Sequence, residues 1–222
     1  IDDLVEIQSK VARLSYETEN SLRVMQGHEK AFLLNYQTLG IQEAKAKYML
    51  PFTEKGGEAY QTLYEIQQIV TEKDAEAYNS AQLAMDAINE FLSSFIGTIN
   101  ILELRYDKEF GELIKLDEAS EALKTKIGEY DDRVLEDGYA LVTESFQEYL
   151  LIPNQENAKI VQKHLNELPE IISTSPLADP DRTNLLELTA EFGTWFKQVA
   201  ETDVEIAARI KGYEESAQKA EP

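Results

Sequence analysis

The chain reads as all-α: an elongated helical bundle of about six helices, in two modules stacked end to end that share long helices. Three observations carry that expectation. Apolar residues recur at three- and four-residue spacing along most of the 222 residues, and no segment alternates with period two between turn residues, so no sheet is expected. Composition favours helix, with Ala, Leu, Glu, Gln and Lys abundant against 10 Gly and 6 Pro. One helical unit also occurs twice. Residues 32–51 read FLLNYQTLGIQEAKAKYMLP and residues 149–169 read YLLIPNQENAKIVQKHLNELP, an offset of about 117 residues. Each copy has an aromatic-Leu-Leu helix end, a polar turn, and a Gln (Gln37, Gln155) followed at equal spacing by Leu50-Pro51 or Leu168-Pro169. The whole of 1–222 is therefore read as one domain with an internal repeat, 1–116 and 117–222.

The first helix is expected to carry a buried seam through Leu4, Ile7, Val11, Leu14, Thr18, Ser21, Met25, His28 and Phe32, and to stop near Asn35. Gly40 marks the turn. A second helix carries Ile41, Ala44 and Tyr48, is broken or kinked at Leu50-Pro51 and Gly56-Gly57, and resumes through Leu63, Ile66 and Val70. A third runs from about Lys73 to Leu116, with its continuity past Gly111 and Asp117 open. The second half repeats the plan. Leu123, Ile127, Tyr130, Val134, Leu141 and Tyr149 form a seam ending at Ile152-Pro153-Asn154, and a short helix carries Ile160, Val161, Leu165, Leu168 and Ile172. STSPLADPDRTN is a loop with Asp179 or Asp181 as the next helix cap, and a last helix runs from Leu185 through Trp195 to Ile210. A helix of about 35 residues is roughly 50 Å long, which is why an elongated bundle is expected.

Charge and composition narrow the function. With 42 acids against 21 bases the formal charge is −21, so phosphate backbones and anionic membrane surfaces are repelled and no nucleic-acid partner is expected. Cys is absent. The longest uncharged stretches, Ala31–Gln42 and Phe91–Leu102, are shorter than the roughly 20 apolar residues of a membrane span. The chain starts at Ile1, and both ends read as amphipathic helix cut in mid-course, so it is read as a fragment of a larger protein. There is no Gly-rich phosphate loop and no His-Glu-x-x-His pair, and two His residues (His28, His164) cannot form a multi-His metal site. The Asp131-Asp132 to Gly138 stretch lacks calcium-loop spacing and lies on helical periodicity. Neither an enzyme, a metal nor a cofactor is expected.

The run His28-Glu29-Lys30-Ala31-Phe32-Leu33-Leu34, with the weaker second copy Glu144-Ser145-Phe146-Gln147-Glu148-Tyr149-Leu150-Leu151, resembles the end of the first helix in the helical bimodular sensor domains of bacterial chemoreceptors and sensor histidine kinases. That resemblance implies two stacked four-helix bundles outside the inner membrane, between two transmembrane helices that flank residues 1 and 222. It implies a periplasmic location, a homodimer, and a small-molecule ligand, whether organic acid, amino acid or amine, whose binding displaces a helix. Members that bind carboxylic acids place arginines just before the Glu-Lys run; here those positions hold Met25, Gln26 and Gly27. A neutral or cationic ligand therefore suits the chain better than a dicarboxylate. Alternatives are a kinase sensor that reads a periplasmic binding protein, or a structural or partner-binding helical domain.

Polar groups at seam positions are the candidate ligand contacts, because burying one unpaired costs about 1–3 kcal/mol. In the first copy these are Thr18, Ser21 and His28, with Tyr16 and Arg23 beside them. In the second they are Tyr130, Asp137 and Ser145, with Arg133 and Tyr139 nearby and Trp195 as a wall.

Overall fold

A computed structural model describes residues 2–70 and 74–220, with side chains for 5–70 and 74–212. The chain is all-α, with seven helices and no strand among the described residues. They are α1 (Asp2–Leu39), α2 (Ile41–Val70), α3 (Ala75–Tyr106), α4 (Glu112–Ile127), α5 (Arg133–Leu151), α6 (Gln155–Thr174) and α7 (Asp179–Ala220). The helix start expected at Lys73 lies outside the described residues, and the seam residue Leu4 lies outside those whose side chains are described.

The chain divides into two compact units, 1–103 and 104–222. Unit 1 holds α1, α2 and α3 as far as Glu103; unit 2 holds the last turn of α3 and the four helices α4–α7. In unit 1 the buried α1 residues are Leu14, Thr18, Ser21, Met25, Glu29, Phe32 and Tyr36. The seam thus steps from Met25 to Glu29 rather than to His28, which is half-buried, and Ile7 is exposed. Leu14 packs with Leu63, Ile66, Met85 and Ile88. Phe95 meets Phe32 at 5.5 Å and Phe52 at 4.4 Å between ring centres. Each fully buried side chain of this kind contributes roughly 1.5–3 kcal/mol.

Helix ends follow local chemistry. Gly40 has φ 86°, a left-handed conformation that an L side chain rarely adopts, and its carbonyl accepts the Ala44 N–H as α2 begins. α2 runs unbroken through Pro51 and Gly56-Gly57, so of the break or kink expected there the break does not occur. Burial outweighs propensity there: Phe52, Gly56 and Ala59 are buried on its inner face, and the Thr53 hydroxyl bonds to the Met49 and Leu50 carbonyls. The open question past Gly111 is settled by a turn at 107–111, where the Asp107 carboxylate accepts the Glu109 and Phe110 N–H groups. A second turn, at 128–132, was not expected and makes the seventh helix. Asp132 caps α5 by accepting the Val134 and Leu135 N–H groups, so this stretch is a helix boundary rather than helical seam. Asp179 and Asp181 both stand in the first turn of α7, where their charge suits the helix dipole.

The repeat is only partly structural. Phe32 and Tyr149 are both buried, and Leu34 and Leu151 are 81% and 82% exposed, so the aromatic-Leu-Leu ends behave alike. Gln37, however, belongs to the end of α1, whereas Gln155 opens α6.

Candidate ligand-binding cleft

Unit 2 contains a cleft of about 860 Å³ between the end of α5, the start of α6 and the middle of α7. Local sequence builds it. Pro153 biases Ile152 towards extended backbone, and Ile152 ends α5 at φ −136°, ψ 83°. Asn154 then caps α6, its side chain accepting the Asn157 N–H at 2.8 Å. Along α7, Phe196, Ala200, Val204 and Ala207 share one helix face and line the cleft; along α6, Ala158 and Gln162 do so. Alanine at 158, 200 and 207 leaves the space between the two helices open.

The floor is aromatic. Tyr149 and Phe196 meet edge to face at 5.1 Å, and both are essentially buried. Beside them Asp203 accepts two hydrogen bonds from Arg105, Nε to Oδ1 at 2.8 Å and Nη2 to Oδ2 at 3.0 Å, and a third from the Tyr149 hydroxyl at 2.6 Å. The guanidinium is 3% exposed, so its charge is balanced inside the protein by Asp203. Burial, reinforced by the Asp203 carboxylate, holds the Tyr149 phenol far above its ordinary pKa, so it remains a donor. Glu112, the first residue of α4, is buried nearby; burial raises its carboxyl, while the Thr202 hydroxyl and the Arg105 guanidinium pull the other way. The cleft's charged lining is Lys159, Lys197, Glu201 and Asp203. This arrangement can bind and orient a small molecule.

Unit 1 has a smaller groove of about 560 Å³ between α1 and α2, lined by polar residues and Gly57. Among the sequence-predicted residues, Ser21 lines it, and Thr18 lies beneath, bonded to Thr62 at 2.8 Å and to the Leu14 carbonyl. Tyr16 is 71% exposed, Arg23 pairs with Glu19 on the outer surface, and His28 is half-buried, so these three are not drawn into the groove. In unit 2, Tyr139 is buried and donates to the Ser120 carbonyl. Tyr130 is half-buried with Lys126 over its ring, and Trp195 packs against the core. Arg133 and Asp137 are exposed, 3.9 Å from each other. Asp137 therefore stands outside the buried seam, because α5 begins at Arg133 and its inner face is set by Leu135, Tyr139 and Val142.

Sequence reasoning missed Arg105, Glu112, Asp203 and the α6 and α7 residues of the cleft. Of the cleft's lining, Tyr149 and Phe196 had been marked only as seam residues, and Pro153, Asn154 and Gln155 only as helix-end or repeat positions. The alanines gave no signal, since Ala in a helix reads simply as a good helix former. No family model matches the chain, and neither does any curated protein or solved structure.

Proposed function

We propose that the chain is a helical sensor domain that binds a small molecule in the unit 2 cleft. In this reading it is the extracytoplasmic part of a transmembrane chemoreceptor, acts as a homodimer, and signals by helix displacement. The observation that carries the binding role is the cleft itself. It has the size and mainly apolar lining of small-molecule sites, with a few polar groups converging on it. The receptor context is supported by the resemblance of the His28–Leu34 run and by the all-helical fold. Ligand binding to such a site shifts helix packing only as far as it prefers one arrangement over another.

The test is thermal unfolding of the purified chain against organic acids, amino acids, amines and divalent cations. A ligand at 100 times its dissociation constant stabilises by about 2.7 kcal/mol, a shift of several degrees. A hit from one chemical class supports the sensor reading; a flat panel removes it in favour of a partner-binding or structural domain.

A further inference from the structure

Resting on that reading of the cleft, we propose that its ligand is an amphipathic monocarboxylate, with an apolar body along the Ala200, Val204 and Ala207 face of α7 and a carboxylate held by Lys159. The walls argue for the body. Ala200, Val204 and Ala207 give the cleft an apolar face along α7, backed by the buried Tyr149 and Phe196 rings, and a space of about 860 Å³ is ample for a ring or an alkyl chain. A short dicarboxylate covers too little of that apolar face.

The charges argue for the head. Asp203 is already neutralised by the bidentate Arg105 contact. Lys197 reaches Glu201 only at 3.8 Å. Lys159 has no ion-pair partner among the described residues and stands exposed on the cleft wall. An ammonium head would face both lysines, and a neutral head would leave Lys159 unpaired. A carboxylate pairs with it in a charge-assisted hydrogen bond, and the Gln155 amide on the same wall supplies a further donor.

Calorimetric titration of the 222-residue chain with octanoate and phenylacetate, beside octylamine and succinate, tests this. The expected result is binding of octanoate or phenylacetate and neither control. Lys159→Glu should weaken it at least tenfold, and Ala207→Trp, at an exposed position lining the cleft, should abolish it while leaving the unfolding curve in place. Octylamine binding that Ala207→Trp abolishes overturns the carboxylate while keeping the cleft. Carboxylate binding that survives both variants overturns the location. Silence from all four probes overturns the proposal, and the wider panel then decides whether the cleft binds anything else.

Discussion

Arg105 and Asp203 stand 98 positions apart in sequence and meet as a bidentate pair, 3% and 9% exposed, joining the last turn of α3 to the middle of α7. A buried pair of this kind contributes little net stability against an apolar replacement, but breaking it leaves a charge with no partner. Arg105→Met should therefore destabilise by about 3–5 kcal/mol, and pairing it with Asp203→Leu should restore much of the loss. Tyr149→Phe, which removes one donor to the carboxylate, should cost about 1–2 kcal/mol. Trp195 is the sole Trp and lies in unit 2, so its fluorescence in a urea titration reports these changes locally. A single Arg105→Met variant as stable as the parent would show that the pair is not formed.

That pair marks the limit of what the sequence reveals. Periodicity says which face of a helix is buried, and it located Leu14, Thr18, Ser21, Met25 and Phe32 correctly. It does not say which residue of another helix lies opposite, so Arg105 and Asp203 carried no mark. The step from Met25 to Glu29 or to His28 is equally allowed by a 3.6-residue repeat, and the acid is the one the structure buries. Turn chemistry was legible at Gly40 and Pro153, where one residue dictates the backbone. It produced no break at Pro51 and Gly57, where packing overrides propensity, and it misled at Asp132, whose capping role was masked by apolar neighbours at helical spacing.

Glu29 makes the stability of unit 1 depend on pH. It is 7% exposed, its Oε1 has no hydrogen-bond partner, and burial, only partly opposed by Lys30, lifts its carboxyl from 4.5 to about 7. Below pH 4.5 the group is protonated whether the chain is folded or not. Between 4.5 and 7 the unfolded chain gives up a proton that the folded chain keeps, so stability falls as pH rises and then levels off. The loss should reach about 2 kcal/mol. Glu29→Gln should match the parent near pH 4.5 and exceed it above pH 7, which urea titrations followed by circular dichroism at both values would reveal. Parallel profiles would exclude a buried, titrating Glu29.

Asn154 closes the wall of the cleft by capping α6. Its side chain satisfies the Asn157 N–H, one of the donors a helix start leaves without an intrahelical partner. Asn154→Ala should cost about 1 kcal/mol, and Asn154→Asp, which keeps the acceptor, should cost almost nothing. Equal losses in both variants would assign the effect to something other than the cap.

Gly111 and Gly193 should respond oppositely to one chemical change, the addition of a methyl group. At Gly111 the new carbon would collide with the Asp107 carbonyl oxygen and lie 2.7 Å from the Asp107 nitrogen. Both are backbone atoms of the turn that receives α3, so neither can swing aside as a side chain would. Gly111→Ala should destabilise unit 2 by about 2 kcal/mol or more. At Gly193, inside α7, nothing lies within 4 Å of the added carbon. Alanine there restricts the unfolded chain and suits the helix, so Gly193→Ala should stabilise by about 0.5–1 kcal/mol. Trp195 fluorescence in urea compares the two directly, with midpoints expected on either side of the parent. A neutral Gly111→Ala would mean that the chain turns between α3 and α4 by a different path.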